Sequence, residues 1–72
     1  MRNHIATRIR DARRKKGLTQ AKLAERLGVT ASAISAWETG RDDPGLRHIP
    51  TLVRALRPHL TYAGLLEPRQ AA

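Results

Sequence analysis

The stretch that decides the fold is residues 17–40, GLTQAKLAERLGVTASAISAWETG. Two short apolar runs in it each follow a threonine, Thr19 or Thr30, and each precede a glycine, Gly28 or Gly40. A threonine hydroxyl in front of a helix accepts a hydrogen bond from a free backbone N–H, and a glycine behind the helix adopts the left-handed conformation that ends it. The stretch therefore predicts two short helices joined by a tight turn at Gly28.

The inner faces of these two helices are apolar. Ala24 is small at the point where the helices cross, since a larger side chain there would push them apart. Lys22 stands where a complete capping box would have an acid or an amide. This arrangement is a helix-turn-helix. Its inner face consists of Leu23, Ala24, Leu27, Val29, Ile34 and Trp37.

The chain before this stretch also has a helical period. Asn3 is a candidate cap for a first helix, and Gly17 is placed to end it. The apolar stripe of this helix consists of Ile5, Ile9 and Ala12.

Proline positions divide the chain after the stretch. Pro50 has no N–H to donate within a helix, so it must lie in the first turn of a fourth helix that begins near Arg47 or His48. Pro58 ends that helix. The apolar period of the fourth helix runs through Leu46, Ile49, Leu52, Val53 and Leu56.

A short fifth helix fits within residues 60–66, with either His59 or Thr61 as its cap. No strand pattern is present. We therefore expect an all-α fold, a compact five-helix bundle that forms one domain over residues 1–72, with an ordered core of about residues 4–66 and a fraying tail at 67–72.

Positive charge is concentrated at the start of the chain. The 72 residues have a formal net charge of +8, and residues 1–16 hold seven basic side chains against Asp11, so six of the eight charges lie there. Such a segment predicts attraction to a polyanion, with nucleic acid first and an anionic membrane surface second. The first helix has no Trp or Phe to insert into lipid, so a membrane-surface role ranks lower and no membrane partner is expected.

Other features of the composition exclude several classes of function. With no cysteine there is neither a disulfide framework nor a thiolate metal site, which fits a reducing, cytoplasmic location. His4, His48 and His59 lack metal-ligand spacing, and no cofactor is expected. Because so short a chain cannot enclose a deep pocket, and no histidine lies near Ser32 or Ser35 in sequence, we expect no enzyme.

The outward face of the second helix in the stretch carries small and hydroxyl side chains. In a helix-turn-helix this helix enters the major groove, where hydroxyls bond to base edges and alanine methyls contact thymine methyls. A face this small is equally typical of a helix packed against another protein. The base-facing candidates are Ala31, Ser32, Ser35, Ala36 and Thr39.

Several spaced blocks of residues 5–66 together resemble the Cro and phage-repressor type helix-turn-helix proteins, also called the xenobiotic-response-element family. The resemblance is densest in residues 9–13 (IRDAR), 17–20 (GLTQ), 23–29 (LAERLGV) and 34–40 (ISAWETG). It implies a five-helix DNA-binding domain that binds a two-fold symmetric operator on double-stranded DNA as a homodimer and represses transcription.

The resemblance also implies roles for individual residues. Gln20 matches a glutamine that contacts a backbone phosphate and braces the recognition helix. Arg13 and Glu38 match an ion pair that ties the first helix to the third and orients Arg13 toward the DNA backbone. Arg41 matches a basic residue that meets phosphate, and Thr30 combines a cap with a phosphate contact.

Some residues depart from that family pattern. Asp42 and Asp43 put negative charge beside the phosphate-contacting loop. Together with the small outward face, they favour the rival hypothesis of an antitoxin or adaptor that chiefly binds a protein partner. Residues 57–59 and Pro50 also differ, so the dimer surface is the least determined part. The dimer candidates are Leu60, Tyr62, Leu65 and Leu66.

Overall fold

The structure, a computed structural model, describes residues 4–66. Five α-helices and one 3₁₀ turn follow each other within those residues, which contain no β-strand. The expectation of an all-α, five-helix fold is confirmed. The helices are α1 (His4–Lys15), α2 (Gln20–Leu27), α3 (Ala31–Thr39), α4 (Ile49–Leu56) and α5 (Tyr62–Leu66), and the 3₁₀ turn is Leu46–His48.

Local capping sets the ends of α2 and α3. The hydroxyl of Thr19 accepts from the N–H of Lys22, and the hydroxyl of Thr30 accepts from the N–H of Ala33, as predicted. Gly28, at φ +73°, ends α2 in the left-handed region that side-chain-bearing residues rarely adopt. Three residues, 28–30, connect the two helices, and α3 packs directly on α2.

The open choice of cap for α5 is settled by a hydrogen bond. The N–H of Gly64 donates to Thr61 Oγ1 at 3.0 Å, so Thr61 and not His59 caps the helix. Asn3, the proposed cap of α1, and the tail at 67–72 lie outside the described residues.

The core lies where α1, α2 and α3 meet α4 and α5. Six of its side chains are essentially without solvent contact: Ile9, Leu23, Ile34, Leu52, Leu56 and Leu65. Trp37 of α3 is also buried, and its ring lies 5.2 Å from the imidazole of His48, centroid to centroid. The indole thus anchors α3 to the segment that leads into α4.

Leu46 departs from the predicted pattern. It was placed on the inner face of the fourth helix, but α4 begins at Ile49 and Leu46 is 84% exposed. The reason is that Leu46 starts a 3₁₀ turn, whose tighter winding of about three residues per turn puts it out of phase with the α-helical stripe behind it. Pro50 does lie in the first turn of α4, as predicted.

Two dimer candidates belong to the core of the chain itself. Leu60 is 2% exposed and Leu65 is 1% exposed. The chain after α4 folds back over α1 and α4 and buries these side chains in the core. They are therefore not available to a second copy, and this part of the expectation is corrected. Tyr62 is 49% exposed and remains a candidate for a dimer contact. The side chain of Leu66 lies outside the described residues.

Candidate nucleic-acid interface

The first half of α3 stands clear of the rest of the molecule. Its buried side, centred on Ile34 and Trp37, packs into the core, while Ala31 and Ser32 are exposed on the other side. Ser35 is half-buried between the two. Four of the five predicted base-facing residues, counting Thr39 at the end of the helix, therefore keep solvent contact along one side of α3.

Ala36 is the exception among those candidates. It is 8% exposed, because the chain after Gly40 folds back over it. The backbone N–H groups of Arg41 and Asp42 donate to the Ala36 carbonyl at 3.0 and 3.2 Å. Ala36 therefore forms part of the helix-ending turn rather than of the outward face, which corrects the sequence-based expectation.

The hydroxyl of Thr39 is engaged by the same turn. It donates to the carbonyls of Ser35 and Ala36 at 3.0 and 3.2 Å. A hydroxyl has one proton, so Thr39 can offer a ligand only the lone pairs of its oxygen. The serine hydroxyl of Ser32, on the exposed first turn of α3, has no such partner within residues 4–66.

A buried carboxylate joins α1, α2 and α3. Glu38 accepts from Arg13 Nε at 2.6 Å on Oε2, and from Arg13 Nη2 at 3.0 Å on Oε1. Its Oε1 also accepts from Gln20 Nε2 at 3.1 Å. The side chain of Glu38 is 3% exposed and that of Arg13 is 12% exposed. Because both charges are withdrawn from water, the pair depends on this full set of hydrogen bonds.

The remaining contact of Arg13 is also internal. Its Nη1 donates to the Leu18 carbonyl at 2.8 Å, so each guanidinium nitrogen has a partner inside the domain. The hydrogen bonds to Glu38 raise the pKa of Arg13 above its ordinary value. A raised pKa keeps the Arg13 guanidinium charged at every pH below the ordinary arginine value, and the stability that its charge contributes is lost as pH rises through the raised value. The expected ion pair is present, and the three internal hydrogen bonds of Arg13 use three of its five guanidinium protons.

Gln20 performs the bracing half of its expected role. Its amide turns inward to Glu38 and, from the first residue of α2, fixes the end of α3. The resemblance implied the bracing but not its partner, the Glu38 carboxylate. The signal was available, because Glu38 lies four residues after Ile34 and so shares its buried face.

The loop after α3 carries charge of both signs. Arg41 is exposed directly after Gly40, and Asp42 and Asp43 follow it, also exposed. The N–H of Asp43 donates to Asp42 Oδ1 at 3.0 Å, which holds the Asp42 carboxylate against the backbone of the next residue. On α2, Lys22 Nζ lies 3.7 Å from Glu25 Oε1 in an exposed pair.

Residues 4–66 contain no group of three or more histidine, aspartate or glutamate side chains able to hold a metal ion. Over the same residues, no helix has the length and apolar character that crossing a bilayer requires.

Comparison with known proteins agrees with this geometry. The family model described as helix-turn-helix matches residues 9–62, which is more than half of the chain. The chain belongs to the helix-turn-helix family. The resemblance to the xenobiotic-response-element type is thereby confirmed.

A relative of this helix-turn-helix protein is known from Methanothermobacter thermautotrophicus. It is 49% identical over 64 residues, which cover 88% of this chain and 93% of the relative, and it is named an uncharacterized HTH-type transcriptional regulator. No solved structure matches the chain significantly. Family and relative together mark the chain as a DNA-binding protein rather than an enzyme.

Proposed function

We propose that this helix-turn-helix protein is a sequence-specific regulator of transcription that binds double-stranded DNA with α3 in the major groove. In this proposal it is a repressor, which occupies a two-fold symmetric operator as a homodimer and excludes the polymerase. The relative named as a transcriptional regulator supports the regulatory part.

One observation carries the proposal. The first turn of α3 presents small side chains to solvent, with Ala31 and Ser32 exposed, while the opposite side of the helix is fixed by Ile34 and Trp37. Small residues let the helix approach base edges closely, and a rigid mount positions it. With two serines and no Arg, Asn or Gln on this side, direct readout is modest and DNA shape must supply part of the specificity.

Phosphate contacts are proposed for residues on either side of α3. Thr30 uses its oxygen lone pair as a cap and keeps its hydroxyl proton to donate, and Arg41 is an exposed cation. Gln20 donates one amide proton to Glu38 and has a second for a phosphate oxygen. Arg13 donates three of its five guanidinium protons inside the domain and has two left for the phosphate contact that the resemblance implies.

Selection of duplexes from a random pool tests the proposal. The wild-type protein should enrich a common motif with two-fold symmetry, and the Ser32→Ala/Ser35→Ala double variant should enrich an altered motif while its affinity for mixed-sequence duplex changes little. If the variant enriches the same motif as the wild type, the two serines do not read bases. A pool without enrichment would contradict sequence-specific binding altogether.

A protein partner is the second candidate function, and exposed apolar side chains favour it. Leu46 is 84% exposed and Tyr62 is 49% exposed. These side chains suit a contact with a second copy in a homodimer or with a different protein, as in an antitoxin or adaptor. Sedimentation of the purified protein separates the two cases, because a homodimer forms without any other chain. If the protein sediments as a monomer at high concentration, the proposed homodimer is excluded.

A further inference from the structure

Helix α1 carries more positive charge than the fold uses. Only Arg13 of its basic side chains is bound internally, at Glu38 and Leu18. The helix also has Arg8, Arg10, Arg14 and Lys15, against the single acid Asp11. Like charges crowded on twelve residues repel one another, and of these four only Arg14 and Lys15, in the last turn, gain from the negative end of the helix dipole.

These cations lie on two different sides of α1. Arg10 and Arg14, one helical turn apart, lie about 60° and 100° round the helix from Arg13, on the same side of α1 as each other. Arg8 and Lys15 lie on the far side, where they line a cleft of about 190 Å³ against α5. Arg8 Nη1 is 3.4 Å from the Cβ position that a side chain at Gly64 would have.

The first of these sides adjoins the start of α2. Arg13 contacts Leu18 and shares Glu38 with Gln20, so the turn between α1 and α2 borders the surface that carries Arg10 and Arg14. Gln20 is a proposed phosphate contact. A DNA strand carries a phosphate about every 3.4 Å along the duplex axis. When one phosphate is bound at Gln20, the next phosphates of the same strand lie within reach of the protein surface beside Gln20.

The acid beside Arg10 does not neutralise this surface. Arg10 Nε lies 3.6 Å from Asp11 Oδ1, and the two side chains are 39% and 52% exposed. Exposed pairs of this kind contribute about 0–1 kcal/mol and exchange readily with other partners. Arg14 is exposed and makes no ion pair within residues 4–66.

We propose that Arg10 and Arg14 bind the sugar-phosphate backbone of the same duplex, so that the DNA interface extends from the helix-turn-helix onto α1. The proposal rests on the proposed DNA-binding function. It divides the excess positive charge of α1 into two groups. Arg10 and Arg14 contact the DNA, and Arg8 and Lys15 lie on the side of α1 away from the DNA.

Two double variants of equal charge test the proposal. Arg10→Gln/Arg14→Gln and Arg8→Gln/Lys15→Gln each remove two positive charges, so any long-range attraction falls equally in both. Affinity for a 24-base-pair duplex of mixed sequence is measured by fluorescence anisotropy over a salt series, and circular dichroism checks the fold. Each phosphate contact adds about 0.9 to the slope of log affinity against log salt.

The Arg10/Arg14 variant should lose about 1.8 of slope per protomer, and the Arg8/Lys15 variant should keep the wild-type slope. Arg10→Lys/Arg14→Lys, which retains the charge, should also keep it. Arg14→Gln alone, at an exposed position, should lose about 0.9 of slope, and this variant decides the matter if the double glutamine variant does not fold. Equal slopes in the two glutamine variants, with the wild type binding, would overturn the α1 contact alone. A wild type that does not bind the duplex would overturn the proposed function as well.

Discussion

Arg13 and Glu38, twenty-five residues apart, meet through two hydrogen bonds of 2.6 and 3.0 Å with almost no solvent contact. The contact ties the last turn of α1 to the last turn of α3. Together with the buried Ile34 and Trp37, the pair fixes the angle of α3 and so orients the surface that we propose for DNA.

Arg13→Ala should destabilise the domain severely. Removing one partner leaves the Glu38 carboxylate buried with Gln20 alone, which costs about 3–5 kcal/mol. A core of this size supplies about 3–5 kcal/mol in total, so the variant should be largely unfolded in urea titrations at 25 °C. Arg14→Ala, the exposed neighbour, is the control and should stay within about 0.5 kcal/mol of wild type. Equal stability of the two variants would contradict the structural role of Arg13.

Gly28→Ala and Gly45→Ala should shift stability in opposite directions. No atom lies within 4 Å of a Cβ at either position, so only the backbone decides. Gly28 has φ +73°, which costs alanine about 1–2 kcal/mol, whereas Gly45 has φ −67°, which alanine adopts freely. Gly45→Ala should therefore stabilise by about 0.4–1 kcal/mol through the unfolded chain. Thermal unfolding of both variants measures this, and a shift of the same sign in both would refute the assigned turn.

Thr30→Ala should cost about 1 kcal/mol of unfolding free energy, because the N–H of Ala33 loses its cap. Thr30→Ser keeps the oxygen and should retain most of the stability. Thr30→Asp keeps the cap as well but brings a negative charge to the proposed phosphate contact. It should therefore remain folded and bind duplex DNA more weakly. Undiminished binding by this variant would exclude a phosphate at Thr30.

Leu56→Ala and Leu46→Ala separate core from surface. Leu56 is fully buried, and its truncation should cost about 2–5 kcal/mol. Leu46 is 84% exposed, so its truncation should change the stability of the monomer by less than about 0.5 kcal/mol. Chemical denaturation at low protein concentration compares them. A large loss for Leu46→Ala that grows with protein concentration would instead place Leu46 in a dimer contact.

Local chemistry made most of this fold predictable. Thr19, Gly28 and Thr30 act through hydrogen bonds and dihedral angles within a few residues, and those signals are complete in the sequence. The ion pair of Arg13 and Glu38 was predictable only through the family resemblance, because nothing local links residues so far apart.

The errors arose where distant segments decide burial. Ala36 lies on the outer side of a helical wheel, but the returning chain at Arg41 covers it. From the sequence, Leu65 is an apolar side chain without an assigned partner. In the structure, α5 folds against α1 and Leu65 is buried. Leu46 follows an α-helical period in sequence, although its backbone winds as a 3₁₀ turn. Each case depends on tertiary packing or helix type, which periodicity alone does not report.

The central claim is that the exposed side of α3 contacts the duplex. Titration of the labelled protein with a duplex enriched in the selection, followed by the backbone amide shifts in NMR, tests it most directly. We predict the largest shifts at Ala31, Ser32 and Ser35, with Gln20 and Arg41 next and the α5 amides little changed. Shifts concentrated on α5, with those of α3 unmoved, would contradict the account.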